Sequence, residues 1–456
     1  MTIFTNGDPS THRPATDIGS TAELATELRR LLREAEARTG KVIARAGLAK
    51  RIGVSQSSMY AYLNGTTFIP EDTFARLLRE LDTDEQHAQR LRRARDTLTN
   101  PTAPPPRVLP LDVATFTARA EQLAELDRLR GQGRKNATVV IAAITGGAGV
   151  GKTALAVRWA NQRLSRFPDG CLYVDLRGFH CDRPLDPNEA LGALLRRLGT
   201  PGAGLPAMFD ERWERYQEML SGKRMLILLD NALSPEQVRP LLPPGTSSCF
   251  VLVTSRDQLS GLAIGQGAHR LPVDALTEAE ARALLCARLG PERVGAEPEA
   301  VARLLAVCAG LPLALNIVAS RVQARPGVLL AEVADELGNT ASRLTVLNSA
   351  DPATSVGTAL LRSLALLTAQ QTEIFKLLGI APGQDISLQT AASLIGRPPA
   401  EAKAALEELE RVSLVRQDIS GQYRMHNVVR DYAAHFAHRD LPRSVRETAL
   451  RRVAEF

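Results

Sequence analysis

The sequence predicts a multidomain chain: an all-α helix-turn-helix domain, an α/β core with a mostly parallel sheet, a helical domain and a winged-helix domain. Three observations carry this. A helix–glycine–helix pattern runs through residues 48–65. A glycine-rich loop separates an apolar run from an amphipathic helix at 138–160. Near the C-terminus, a helix leads into two short extended runs either side of Asp418-Ile419-Ser420-Gly421. The 456 residues suit about three domains. An apolar fraction of 44% and a charged fraction of 23% are those of a globular chain. No apolar run reaches membrane-spanning length, and Met1-Thr2-Ile3-Phe4 does not open a signal segment. Five cysteines, odd in number, scattered and never in C-x-x-C spacing, speak against a disulfide framework or a zinc site and for a cytoplasmic protein. The net charge of +6 is mild, so its distribution decides what it means.

Taken in order, residues 1–20 are polar and irregular, a disordered lead-in. Residues 21–98 are helical, with Leu24, Leu28, Leu31 and Leu32 at helical spacing. Within them, 48–64 read as a helix, a turn at Gly53 and a second helix capped by Ser55. This segment is similar to XRE-type helix-turn-helix regulators, which implies that the start of the second helix enters the major groove of DNA and makes Gln56, Ser57, Ser58 and Tyr60 candidates, with Lys50 and Arg51 beside them. Between Glu36 and Glu71 there is no carboxylate, while Arg38, Lys41, Arg45, Lys50 and Arg51 face outward to a polyanion. The second helix itself carries no Arg or Lys, so its base readout is modest, and a protein-binding role stays open. Residues 99–110 form a Pro-rich linker: Pro104-Pro105-Pro106 cannot continue a helix.

Residues 111–272 alternate apolar runs (138–144, 171–176, 225–229, 249–253) with amphipathic helices, the pattern of a parallel sheet. After the first run comes Gly146-Gly147-Ala148-Gly149-Val150-Gly151-Lys152-Thr153, the G-x-x-x-x-G-K-[ST] loop in its strand–loop–helix setting. Gly146, Gly147, Gly149 and Gly151 let backbone N–H groups turn toward phosphate oxygens, with the helix start at Lys152, Thr153 and Ala154 adding its positive end. Lys152 reaches the terminal phosphates, and the Thr153 hydroxyl takes Mg²⁺. Asp230 closes another apolar strand, expected beside that of the loop, as the second Mg²⁺ ligand; Lys152 and Asp230 are the candidate catalytic pair. Asn231 follows it. An amide orients water but takes no proton from it, so slow hydrolysis is expected, against a fast conventional ATPase. Arg256 ends the next strand, where a guanidinium can tell a triphosphate from a diphosphate. Residues 273–350 read as a helical domain and 351–440 as a winged helix, with Leu406, Leu409 and Val412 on one helix. Residues 441–456 read as a C-terminal helix or the start of a further sensor.

Five motifs in this order resemble the NB-ARC type of STAND-class P-loop ATPases, and residues 169–179 with Leu229-Asp230-Asn231-Ala232 resemble its actinobacterial regulator branch. The five motifs are the loop 146–153, Asp230, Thr254-Ser255-Arg256, Gly310-Leu311-Pro312-Leu313 and Met425-His426-Asn427. The resemblance covers roughly 105–440. It implies that Pro312 packs on adenine and that His426 meets the β-phosphate of ADP and locks a closed state. Asn427 stands where the family has Asp, and Phe116-Thr117-Ala118-Arg119-Ala120 where it has Phe-x-Gly-Arg-Glu. The 48–64 segment is similar to XRE-type helix-turn-helix regulators. Together these imply an ATP/ADP-Mg²⁺ switch, closed with ADP and oligomeric with ATP, that acts on DNA. A scaffold whose N-terminal module binds protein is the alternative, and the activating ligand or sensor protein is a separate partner.

Overall fold

In the computed structural model the described residues are 21–67, 69–99, 105–136, 138–180, 183–348, 355–383 and 385–455. The expected lead-in at 1–20 and residues 100–104 of the linker lie outside them. Backbone contacts divide the chain into two compact units, Met1–Pro104 and Pro105–Phe456.

The described residues of the first unit form five helices, Thr21–Thr39, Arg45–Ile52, Gln56–Asn64, Glu71–Glu80 and Glu85–Thr99. Leucines at i, i+4 and i+7 of the first helix point inward with Leu48, Ile52, Met59, Phe74 and Leu77 to make one apolar core. The second helix stops at Gly53, whose φ of 72° is open to glycine at little cost. Val54 N–H then closes onto Ala49 O at 3.0 Å. Ser55 starts the third helix, its hydroxyl accepting from Ser58 N–H at 3.0 Å.

The second unit is built on a sheet of β1 (Val140–Thr145), β2 (Cys171–Asp175), β3 (Leu226–Ala232), β4 (Phe250–Ser255) and β5 (His269–Pro272), ordered β2-β3-β4-β1-β5. Every pairing is parallel. Such a sheet needs cover on both faces. Ile141, Leu172, Ile227 and Val251 pack under the helices Pro187–Arg197 and Phe209–Leu220. On the other face Ala142, Ile144, Leu228 and Leu252 meet Leu155 and Trp159 of the helix Lys152–Arg163. One expectation is corrected here. Asp230's strand is not the neighbour of the loop's strand, because the fully buried β4 pairs with both and lies between them.

Six helices follow, from Glu278–Leu289 to Thr340–Leu347. Beyond them, the helices Val356–Leu364, Ala369–Gly379, Leu388–Ile395, Pro399–Arg411, Asn427–Asp440 and Arg443–Ala454 surround β6 (Asp385–Ile386), β7 (Arg416–Gln417) and β8 (Tyr423–Arg424). These three strands are antiparallel in the order β6-β8-β7. No described helix is long and apolar enough to cross a membrane.

Candidate functional site

The loop after β1 turns on backbone that only glycine tolerates. Gly146 has φ 147°, and a Cβ there would come 2.2 Å from Val273 O. Gly151 has φ 91° and hands the chain to the helix beginning at Lys152. Lys152 Nζ donates to Gly146 O at 2.9 Å and Gly147 O at 2.8 Å, so the lysine braces the loop it serves. Burial, and then the charge of Arg256, push its ammonium down to about 7, against a smaller opposing pull from Asp230. Anionic phosphates at this point would hold it protonated.

Lys152, Thr153, Asp230 and Arg256 line one cavity of about 420 Å³ with Gly149, Gly151, Ala154 and Pro312. Gly146 and Gly147 shape the loop from behind. Asp230 is buried. Its Oδ1 accepts from Thr153 Oγ1 at 2.8 Å and, closer still, from Thr254 Oγ1, while Tyr173 O–H donates to Oδ2 at 3.3 Å. Burial raises its pKa, and the Thr254 and Thr153 hydroxyls oppose the rise. β4 supplies Thr254 because it sits between β3 and β1, so the inserted strand contributes to the site it separates. Among the described residues no three His, Cys, Asp or Glu gather for a metal. One carboxylate and one hydroxyl suit Mg²⁺, a hard cation that keeps waters and takes substrate phosphates as further ligands. Asn231 lines the same cavity at φ 57°, a conformation asparagine accepts, with its N–H on Thr254 Oγ1 at 2.9 Å.

Arg256 reaches across the cavity instead of standing free. Its Nη1 donates to Ala359 O and, at 2.9 Å, to Ser363 Oγ, both on the helix Val356–Leu364, and its guanidinium lies 4.9 Å over Phe179. Burial, with the charge of Arg362 second, lowers its pKa to about 10. Pro312 opens the helix Pro312–Ala324, and the next residue's N–H donates to Gly149 O at 3.2 Å, which ties this helix to the loop. Arg119, which stands at the arginine of the Phe-x-Gly-Arg-Glu segment, is buried and grips Val150 O at 3.1 Å and Asp274 O at 2.6 Å. Ala118 and Arg119 both take positive φ, 73° and 66°, at the place where the family has a glycine.

His426 does not line this cavity. It lies beside Gly146 and Gly147 in a separate cleft behind the loop. Its two nitrogens are engaged, Nδ1 accepting from Val428 N–H at 3.3 Å to cap the helix Asn427–Asp440, and Nε2 meeting Ala309 O at 2.9 Å. Burial lowers its pKa, which favours this neutral form. Sequence reasoning missed Tyr173, Thr254 as a ligand of Asp230, and Arg362, which lines the cavity from the helix Val356–Leu364. Thr254 had a signal, since it is the first polar residue after the apolar run of β4 and stands two positions before Arg256; Arg362 had none beyond a charge on an amphipathic helix.

In the first unit Lys50, Arg51, Gln56, Ser57 and Tyr60 are exposed and Ser58 is half-buried. Arg51 Nε pairs with Glu80 at 2.6 Å, and the Ser57 and Ser58 hydroxyls meet Ser55 Oγ at 2.9 and 2.8 Å. Arg45 lies 5.3 Å over the Tyr60 ring.

Residues 122–295 match the family described as the NB-ARC domain. The chain is 41% identical over 377 residues to the Regulatory protein AfsR of Streptomyces griseus, and 39% identical over 360 residues to that of Streptomyces coelicolor. These alignments take in 81% and 77% of this chain but 38% and 35% of the relatives, so the chain spans little more than a third of their length. Among solved structures, a Walker-type ATPase of Pyrococcus abyssi aligns at TM-score 0.48 and 11% identity, covering 70% of this chain and 95% of that one. A STAND protein with a tetratricopeptide repeat sensor from Pyrococcus horikoshii aligns at TM-score 0.30 and 17% identity, covering 76% and 48%.

Proposed function

The chain carries an NB-ARC P-loop ATPase domain of the AfsR regulator type, and from that premise we propose that it is a nucleotide-switched, DNA-binding transcriptional regulator. One observation carries the switch: Arg256 lines the nucleotide cavity and at the same time holds the helix Val356–Leu364. A diphosphate leaves that bridge intact. A γ-phosphate competes for the same guanidinium and releases the helix. Two hydrogen bonds from a charged donor are together worth about 3 to 6 kcal/mol. Turning a two-state equilibrium from mostly closed to mostly open takes about 5.5 kcal/mol. The bridge is of the right size for a switch.

Bound Mg²⁺, held by Thr153 and Asp230, would screen the phosphate charges and orient them. Asn231 offers an amide where a base would speed hydrolysis, so turnover resets the switch slowly. The β6–β8 segment and its helices serve as a winged helix that moves with the helix Val356–Leu364. The open form associates with further copies. The helices either side of Gly53 act as a helix-turn-helix, presenting Gln56, Ser57 and Tyr60 with Lys50 to DNA, and association multiplies the modest affinity of one module. We place the protein in the cytoplasm, with an activating ligand or sensor protein as its signal.

The test is mass in solution with ADP and with ATP-Mg²⁺, after identifying the nucleotide that co-purifies. An ADP-bound monomer converting to an ATP-bound oligomer is expected, and one mass in both states overturns the switch. A gel shift across a salt series tests the output. Absence of binding at low salt with ATP removes DNA and favours the protein-recruiting scaffold.

A further inference from the structure

The helix Val356–Leu364 brings a second guanidinium to the nucleotide cavity. Ala359, Arg362 and Ser363 share one face at three- and four-residue spacing, and Ala359 and Arg362 line the cavity with Lys152, Asp230 and Arg256. The bonds from Arg256 to Ala359 O and Ser363 Oγ press this face against the site. Arg362 Nε is buried there with no hydrogen-bond partner among the described residues. A buried donor of this kind calls for an acceptor.

The charges around it point to what that acceptor is. Among the described residues, no carboxylate forms an ion pair with Lys152, Arg256 or Arg362. Asp230, the buried carboxylate of the cavity, already accepts from three hydroxyls. Arg362 and Arg256 repel each other, which is one cause of the lowered pKa of Arg256. An anion between them would turn that repulsion into two attractions.

We propose that Arg362 binds the phosphate chain of the nucleotide, so that the C-terminal helices contribute their own cation to the site. The proposal rests on the nucleotide reading of the cavity and deepens it. A guanidinium can offer Nε–H and one Nη–H to two oxygens of a phosphate, a fork that lysine lacks. His426 is turned to Ala309 and Val428, so Arg362 takes the part of linking the helices from Val356 onward to the phosphates. The ligand class is a nucleoside di- or triphosphate, and a bare nucleoside gains nothing from this residue.

Affinities for ADP and for adenosine, measured by calorimetry on the full chain and on its Arg362→Met and Arg362→Lys variants, decide the matter. Lys152→Ala serves as the control for the nucleotide reading. Arg362→Met is expected to bind ADP about 10- to 100-fold more weakly and adenosine as the unaltered chain does, with Arg362→Lys between. If Arg362→Met does not fold, Arg362→Lys alone carries the test, and wild-type ADP affinity in it overturns the proposal. Equal weakening toward ADP and adenosine makes Arg362 merely structural and overturns it as well. If the unaltered chain binds neither ADP nor ATP, or Lys152→Ala binds them equally well, the nucleotide reading itself fails.

Discussion

At the scale of single residues, Lys152 joins a loop to a ligand, and the two tasks set its acid–base behaviour. Its ammonium braces Gly146 O and Gly147 O, while burial and Arg256 hold it down at about 7 against an ordinary 10.5. The unfolded chain therefore binds a proton between pH 7 and 10.5 that the folded chain does not, and this group lowers stability below that window and less so within it as pH rises. Nucleotide binding runs the other way. Phosphates raise the lysine's pKa, so above pH 7 binding must take up a proton and affinity falls, approaching about tenfold per pH unit. Calorimetry of ADP binding in buffers of different ionisation heat should show almost no proton uptake at about pH 6 and nearly one proton at about pH 8.5. No uptake at the higher pH overturns the assignment. The residues of this site were legible to very different degrees. The glycines, Lys152, Thr153 and Asp230 were readable because a phosphate cradle dictates both residue type and spacing. Arg256 was readable as a cavity residue, but its bonds to Ala359 and Ser363 were not, since the partners stand more than 100 residues away.

Among the elements, the helices Ala369–Gly379 and Asn427–Asp440 approach each other closely in the C-terminal region. A Cβ on Gly379 would come 2.4 Å from Ala434 N and 2.5 Å from Ala433 Cβ, so glycine is what lets these helices touch. Valine there must push them apart. Overpacking of this kind costs about 1 to 3 kcal/mol. Gly379→Val should lower the denaturation midpoint accordingly, and an unmoved midpoint would mean that the helices separate freely. The same physics explains which elements the sequence revealed. β1 and β4 are buried along their whole length and read as apolar runs. β5 is missing from that reading because only Leu271 of its four residues is buried. β6 is two residues long and exists only by pairing with β8, a partner 37 residues on. The place of β4 between β3 and β1 was hidden for a related reason: periodicity tells what a strand buries, not which strands flank it.

For the molecule as a whole, the layout of the cores predicts how it melts. Ile144 of the sheet, Leu304 and Val318 of the middle helices, and Phe375, Leu406 and Val428 of the C-terminal region belong to one continuous apolar cluster. The first unit has its own cluster, which includes Leu28, Met59 and Phe74. Every residue lining the nucleotide cavity comes from the second unit. Residues sharing one core unfold together, whereas a unit with its own core is free to unfold alone. Scanning calorimetry should therefore show two transitions. ADP at about 100 times its Kd stabilises what it binds by about 2.7 kcal/mol, and that increment should fall on one transition only. The larger one, carrying 105–456, should move up by several degrees as a single peak while the smaller stays in place. A larger peak that splits, with only the sheet responding, would mean that Arg256 and Arg362 do not couple the C-terminal helices to the nucleotide. A single peak moving undivided would support the physical link on which the switch depends, because a ligand can stabilise distant helices only through contacts that unfold with them.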